Sequence, residues 1–136
     1  MTSDEEIQKM LSMAKKIIEN SYSPYSKFRV AAVVLTESGK MYGGVNVENV
    51  SYGLTMCAER VAVFKAVSEG ERKIRAVLVY AEGKELPYPC GACRQVIAEF
   101  GIESEIIVAN SAGRLERFKL QDLLPRAFLS FERREA

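Results

Sequence analysis

Histidine is absent from this chain of 136 residues, and so is tryptophan. Without histidine the chain cannot supply a Ser-His-Asp triad, a Cys-His nucleophile pair or a histidine metal ligand. A general base must therefore be glutamate, aspartate, lysine, tyrosine or cysteine. The search for a reactive site is thus confined to carboxylates, thiols and a few other groups.

Neither a large net charge nor a long hydrophobic run is present. The 19 Lys and Arg residues nearly balance 18 Asp and Glu residues, so the composition gives no support to a nucleic-acid partner. The longest apolar runs have about six residues, such as 30–35, against the roughly 20 that span a bilayer. The acidic N-terminal segment also lacks the hydrophobic stretch of a signal peptide. We therefore expect a cytoplasmic protein with no membrane and no nucleic acid as partner.

Cysteine is sparse, and its count is odd. Three cysteines cannot all pair within one chain, which argues against a disulfide scaffold. The length predicts one domain, 1–136, with a single core. Its polar end, 130–136, is predicted to be a frayed tail.

Hydrophobic periodicity predicts the element order αββαβαββα. The first helix begins at a capping box formed by Ser3 and Glu6. The predicted helices cover 3–20, 56–69, 91–100 and 120–124, and the predicted strands cover 28–35, 40–47, 74–81, 105–110 and 114–118. An opening hairpin followed by βα units indicates an α/β fold with a mixed sheet and helices on both faces.

All three cysteines lie near predicted helix N-termini. Cys57 opens the second helix, and Cys90 and Cys93 bracket the start of the third. Parallel packing on the sheet would bring both N-termini to one edge, where unpaired N–H groups favour thiolates. The Cys-x-x-Cys pair alone also fits a redox pair, and Cys57 alone fits an unreactive core residue. The presence of a third cysteine at a second helix start, followed two residues later by Glu59, favours a metal site.

Three thiolates leave one position of a tetrahedral zinc site open, as in catalytic rather than structural sites. Residues i and i+2 of a helix point roughly 200° apart, so Glu59 is expected near a metal-bound water rather than on the metal. Three thiolates also give Zn²⁺ an excess negative charge that needs to be offset. Arg60 is preferred to Arg94 for a hydrogen bond to sulfur, although both also fit solvated surface charges.

Four segments resemble the small cytidine deaminases, in the expected order. They read SPYSKF at 23–28, NVEN at 46–49, MCAER at 56–60 and PCGACRQV at 89–96. The resemblance extends over about residues 7–128. It implies a three-layer α-β-α sandwich around a mixed five-stranded sheet.

The resemblance also implies a reaction and a site. One Zn²⁺ per chain would be held by the three cysteines, and hydroxide would replace the amino group at C4 of cytidine or 2′-deoxycytidine, releasing ammonia. Glu59 would carry protons from that water to the ring nitrogen and the leaving amine. Arg60 would lower the charge on sulfur, with Gln95 as a further residue behind the ligands. The residues implied for substrate contact are Phe28 and the Ala58 backbone for the base, and Asn46 and Glu48 for the ribose.

Two further implications concern the edge of the site. Small members of the family are homotetramers, and by position Tyr52 and Phe128 would be contributed by neighbouring subunits. Tyr88 departs from the serine that many relatives carry before the Pro-Cys motif, and the loop 82–86 is short. Both departures lie near the expected pocket rim, so they concern substrate breadth rather than the reaction.

The residues taken without the resemblance leave alternatives open. Asn46 and Glu48 also fit solvent-facing polar positions on an edge strand, and Phe28 fits a core residue.

Rival functions also stay open for the whole protein. One is a deaminase of another aminopyrimidine nucleoside. A nucleic-acid-editing deaminase is disfavoured by the near-neutral charge. A zinc-stabilised interaction module and a redox dithiol protein are the remaining candidates.

Overall fold

The computed structural model describes residues 1–131, and its elements follow the predicted order. The helices are α1 (Asp4–Ile17), α2 (Ala58–Ser68), α3 (Gly91–Gly101) and α4 (Leu120–Leu123). The strands are β1 (Val30–Thr36), β2 (Met41–Val45), β3 (Ile74–Ala81), β4 (Glu105–Asn110) and β5 (Leu115–Lys119). Single turns of 3₁₀-helix lie at Ile18–Asn20 and Tyr52–Leu54.

The five strands form one mixed sheet in the order β2-β1-β3-β4-β5. Only β3 and β4 run parallel among these pairs, and the other three pairs are antiparallel. The parallel pair is the one joined through α3, as a crossover connection requires. The predicted mixed sheet with an opening hairpin is confirmed.

Two apolar clusters lie on opposite faces of the sheet. One joins α1, through Ile7, Met10 and Ala14, to strand residues such as Val33 and Leu78. The other joins α2 and α3 to the alternate strand residues, since successive side chains of a strand point to opposite faces. The molecule is therefore a three-layer α-β-α sandwich, with α2 and α3 side by side on one face.

The Ser3–Glu6 capping box is confirmed at the start of α1. The Glu6 backbone N–H donates to Ser3 Oγ at 3.1 Å, and the Ser3 backbone N–H donates to Glu6 Oε1 at 3.0 Å. These bonds satisfy donors that lack partners within the helix. The helix begins one residue after the predicted start, because Ser3 is its N-cap, and its predicted last turn, Ile18–Asn20, is a 3₁₀-helix.

The hairpin strands β1 and β2 are shorter than predicted at the end nearest the candidate site. Strand β1 begins after Phe28, and β2 ends before Asn46 and Glu48. Beyond β2 the chain makes isolated bridges through Val47 to Tyr22 and Met56. These residues therefore lie in irregular segments next to the sheet.

Gly44 on β2 permits a close approach of α2. A Cβ placed at this residue would lie 2.5 Å from the Ala62 backbone nitrogen and 2.9 Å from the Ala58 carbonyl oxygen. The first half of α2 thus lies directly on the sheet, and this contact fixes the position of its N-terminus.

Within residues 1–131, no helix combines the length and apolar content needed to cross a membrane. Most of the predicted frayed tail, residues 132–136, lies outside the described part of the chain. Phe131, at the end of that part, makes an edge-to-face contact with Phe128 at a centroid distance of 5.1 Å.

Candidate metal and active site

The fold brings the three cysteines together at one edge of the sheet. Cys57 is the N-cap of α2, Cys90 is the N-cap of α3, and Cys93 lies in the first turn of α3. Their sulfur atoms all lie within 4.8 Å of one another, and those of Cys90 and Cys93 are 3.5 Å apart. Two sulfurs on one tetrahedral zinc, each about 2.3 Å from the metal, would be separated by roughly 3.8 Å. The cluster therefore fits a zinc ion with a fourth position left for water.

The groups around Cys57 favour its thiolate form. A hydrogen bond from Cys93 and the neighbouring Arg60 guanidinium lower the pKa of Cys57, while the bond that Cys93 donates raises its own pKa. Arg60 Nη2 donates to Cys57 Sγ at 3.4 Å. The predicted contact between Arg60 and sulfur is confirmed.

Glu59 lies in the first turn of α2 and is almost completely buried, with 5% of its surface exposed. Burial, together with the negative charge of Cys57, raises the pKa of its carboxyl group to about 7. Glu59 lies two residues after Cys57, which is the N-cap of α2. A carboxyl group with such a pKa can accept and release a proton near neutral pH.

A cavity of about 200 Å³ opens beside the cluster. Glu59 lines it together with two of the cysteines, Cys57 and Cys90. The predicted substrate residues Phe28, Asn46 and Ala58 line it as well. Six of the predicted site residues thus surround one space.

Asn46 is buried, so the alternative of a solvent-facing edge residue is wrong for it. Only 8% of its surface is exposed. Its Nδ2 donates to the Phe28 carbonyl oxygen at 2.8 Å, and its Oδ1 accepts from the Val30 backbone N–H at 3.0 Å and from the Ser21 hydroxyl. Asn46 therefore holds the segment that carries Phe28. The alternative of Phe28 as a core residue is also wrong, since 38% of its surface is exposed.

Glu48 lines an adjoining pocket of about 200 Å³ rather than the first cavity. Its carboxylate accepts from the Tyr25 and Ser26 backbone N–H groups, at 3.0 and 3.1 Å, and from the Ser26 hydroxyl. The Ser26 hydrogen bond in particular lowers the pKa of Glu48. Thr55 lines both spaces, so they lie side by side.

The remaining predicted residues lie farther from the sulfurs. Gln95 Nε2 donates to the Phe128 carbonyl oxygen at 2.8 Å. Arg94 donates to two other carbonyl oxygens, those of Pro89 and Leu123, both at 2.8 Å. The preference for Arg60 over Arg94 is therefore confirmed. Tyr52 and Phe128 are exposed, at 76% and 51% of their surfaces.

Sequence reasoning missed part of the cavity wall. Val79 of β3 and the loop residues Thr55, Met56 and Pro87 also line it. Val79 lies on the face of the sheet that carries α2 and α3, so the alternation of side chains along β3 could have predicted that it faces the site. The loop residues follow no such periodicity. Tyr88, expected near the rim, does line the cavity.

Comparison with known proteins gives one consistent family. A sequence model described as the cytidine and deoxycytidylate deaminase zinc-binding region matches residues 4–109. A cytidine deaminase of Sporosarcina psychrophila is 47% identical over 90% of this chain and 91% of its own length. A probable cytidine deaminase of Dictyostelium discoideum is 42% identical over 91% of this chain and 84% of its own.

Solved structures agree in fold. The crystal structure of cytidine deaminase from Burkholderia pseudomallei superposes with a TM-score of 0.85 at 42% identity, covering 94% of this chain and 100% of that one. The cytidine deaminase from Mycobacterium tuberculosis gives a TM-score of 0.79 at 35% identity, covering 93% and 98%. With its cysteine cluster, its buried glutamate and these relatives, the chain belongs to the zinc-binding cytidine and deoxycytidylate deaminase family.

Proposed function

We propose that this chain hydrolyses cytidine and 2′-deoxycytidine to uridine and 2′-deoxyuridine, releasing ammonia, as a step of pyrimidine salvage in the cytoplasm. The observation that carries the proposal is the buried Glu59, which shares one small cavity with the cysteine cluster. The curated relatives named cytidine deaminase support the choice of substrate.

Cys57, Cys90 and Cys93 would hold one zinc ion per chain. A zinc ion held by them would supply a nucleophile near neutral pH by lowering the pKa of a water molecule. Arg60 offsets the negative charge of the three thiolates through its hydrogen bond to Cys57.

Glu59 moves the protons of the reaction. Its carboxylate takes a proton from the attacking water and gives it to the ring nitrogen N3 as C4 becomes tetrahedral. The second proton of the water then passes through the same carboxylate to the amino group, which leaves C4 as ammonia. A pKa of about 7 suits a group that must act as base and acid in turn.

The surrounding residues would orient the nucleoside. Phe28 lies against the base, and the backbone of Ala58 binds the base edge beside Glu59. Asn46 uses one of its two Nδ2 hydrogens for the Phe28 carbonyl oxygen, and we assign the other to a ribose hydroxyl. Glu48, in the adjoining pocket, accepts from the second hydroxyl.

We further propose a homotetramer in which Tyr52 and Phe128 complete the sites of neighbouring subunits. Both rings are exposed in the single chain. Gln95 holds the Phe128 backbone and so positions that ring, instead of tuning the sulfurs directly.

One assay tests the proposal. The purified protein is mixed with cytidine, and the absorbance change is followed with and without a chelator, beside a zinc determination on the same sample. We expect about one zinc per chain, turnover of cytidine, and loss of turnover after chelation that zinc restores. Tight zinc without deamination of any nucleoside would instead indicate an interaction module, and the absence of zinc would indicate a redox dithiol protein.

A further inference from the structure

Tyr88 has an unusual position at the mouth of the cavity. It lines the cavity two residues before Cys90, yet 49% of its surface is exposed. One part of the residue therefore faces the cavity, and another faces solvent.

The backbone at Tyr88 has little freedom. Prolines flank it on both sides, and a proline restricts its own φ and the conformation of the residue before it. The Tyr88 backbone N–H also donates to the Leu86 carbonyl oxygen at 3.0 Å, and Leu86 is buried. The point at which the side chain leaves the backbone is thus fixed beside the cysteine cluster.

The side chain is held as well. Tyr88 Oη donates to Glu116 Oε1 at 2.7 Å, and the other Glu116 oxygen accepts from Arg114 Nη2 at 2.9 Å. The ring makes an edge-to-face contact with Phe118 at a centroid distance of 6.0 Å. Glu116 and Phe118 are two residues apart on β5, so they share one face of that strand. Held by these two partners, Glu116 and Phe118, the exposed side chain has one preferred position.

The cavity that Tyr88 helps to close is small. Its volume is about 200 Å³, and the adjoining pocket of the same volume holds Glu48, a proposed ribose contact, so this cavity mainly receives the base. Under the proposed function, on which this inference rests, C4 of the base must face the cysteine cluster. Groups on the exocyclic nitrogen or on the adjacent C5 then lie at the end of the cavity where Cys90 and Tyr88 are found.

We propose that Tyr88 is a specificity-determining residue: held by Glu116 and Phe118, its ring excludes cytidines that carry extra bulk on the amino edge of the base. The excluded class comprises nucleosides substituted at the exocyclic nitrogen or at C5. Unsubstituted cytidine fits because it places only hydrogen atoms in that direction.

The test compares kcat/KM for cytidine, N4-methylcytidine and 5-methylcytidine, using the zinc-loaded protein. We expect Tyr88→Ala to raise the ratio of methylated to unmethylated substrate by about tenfold or more for at least one methyl position, the size of effect that one methyl group has in a tight pocket. The methyl position whose ratio rises identifies the part of the base against which Tyr88 packs. Tyr88→Phe keeps the ring and should relax the ratio less.

Two further variants separate selectivity from folding. Glu116→Ala leaves the ring in place but removes its hydrogen-bond acceptor, so a partial relaxation of the ratio is expected even if Tyr88→Ala fails to fold. Glu71→Ala is the matched control, because it removes a carboxylate that accepts a hydrogen bond from the Ser38 hydroxyl rather than from Tyr88. Its selectivity should equal that of the wild type.

An equal change in kcat/KM for all three substrates in the folded Tyr88 and Glu116 variants would overturn the inference and leave Tyr88 a structural role only. A wild-type protein that binds zinc but does not deaminate cytidine is a different result. It would overturn the proposed function itself, and this inference with it.

Discussion

At the scale of single residues, Glu59 is the group on which the proposed chemistry depends most. The isosteric change Glu59→Gln keeps the buried shape but removes the proton carrier. We expect kcat for cytidine to fall by about 10²–10⁴-fold, the usual contribution of a general acid–base group. Zinc content should not change, because the proposed zinc ligands are the three clustered cysteines and not Glu59.

The measurement pairs steady-state kinetics with metal analysis of the same preparation. Glu48→Gln is the comparison variant, because Glu48 lines the adjoining pocket instead of the cavity beside the cysteines. It should raise KM far more than it lowers kcat. A Glu59→Gln protein with bound zinc and full turnover would show that the assigned proton carrier is wrong.

Arg60 carries a second prediction at this scale. Its guanidinium donates to Cys57 Sγ, so Arg60→Gln should leave the excess negative charge of three thiolates without its nearest compensation. We expect zinc affinity to change by about 10–100-fold, the usual effect of losing a partner of a metal ligand. Competition with a chromogenic chelator measures it.

Arg94→Gln is the matched control for Arg60. Arg94 follows Cys93 directly, but its guanidinium donates to backbone carbonyl oxygens of Pro89 and Leu123. Its replacement should leave zinc affinity unchanged. If both variants, or neither, bind zinc like the wild type, the hydrogen bond to sulfur is not what tunes the site.

Asn46 and Glu48 show what the sequence can and cannot predict about single residues. Their spacing of two predicted one shared face of a strand. The structure ends β2 at Val45, buries Asn46 and places Glu48 at another pocket. The difference arises because Val47 pairs with Tyr22 and Met56, contacts between segments that periodicity does not encode.

At the scale of elements, the start of α1 links capping to the stability of the fold. Glu6 closes the capping box and also accepts from Arg75 of β3, with Nη1 to Oε1 at 3.3 Å. The Arg75 hydrogen bond, followed by the Ser3 backbone N–H, lowers the pKa of Glu6 to about 2. One carboxylate thus stabilises both the helix end and its attachment to the sheet.

A pH dependence follows from that lowered pKa. A carboxylate whose pKa is lower in the folded state stabilises the fold above its unfolded pKa, and the contribution is lost as the pH falls from about 5 towards 2. Glu6→Gln should therefore reduce the free energy of unfolding at neutral pH, and the difference from wild type should vanish in acid. Urea unfolding at a series of pH values measures it.

Arg75→Gln is the companion variant for Glu6. It should produce the same flattened pH profile, and the double variant should show little further change. Acid protonates the thiolate ligands in wild type and variants alike, so comparing them at the same pH removes the effect of metal loss. A difference between Glu6→Gln and wild type that persists undiminished in acid would mean that the charge of Glu6 is not the stabilising feature.

Element positions were predicted well from the sequence where a local signal marks them. Strands β3 and β4 have the predicted bounds, because short apolar runs between polar segments mark both ends. The sequence pattern predicts the α2 N-terminus two residues too early, since Met56 bridges to Val47 and Cys57 takes an extended cap conformation. The 3₁₀ turn at Tyr52–Leu54 was not predicted, because three residues give no periodicity.

At the scale of the whole molecule, a three-layer fold brings two helix N-termini to one edge and thereby assembles the cysteine cluster. The sequence predicted this assembly because α2 and α3 flank the single strand β3. The prediction of one domain over 1–136 stays a prediction. The periodicity of one chain does not encode contacts between chains, so the tetramer also stays a prediction.

Several exposed aromatic rings are consistent with the proposed association of chains. Tyr25, Tyr52 and Phe128 each expose roughly half or more of their surfaces, at 46%, 76% and 51%. Tyr52 packs edge-to-face on Tyr25 of its own chain at 6.2 Å. Large exposed apolar groups of this kind often mark interaction sites. Light scattering should give a mass four times the 15.2 kDa of one chain, and a monomeric mass would contradict the tetramer.

Mixed tetramers would show whose site Tyr52 serves. Subunits with Glu59→Gln lack the proton carrier but keep Tyr52, and subunits with Tyr52→Ala have the reverse defect, so each variant alone should be impaired. If Tyr52 completes a neighbour's site, co-expression restores activity, because random mixing gives roughly a quarter of the sites both groups. If Tyr52 serves the chain on which it packs against Tyr25, no site regains both groups. Mixed tetramers, verified by mass, would then be no more active than the two parents averaged, and the shared site would be wrong.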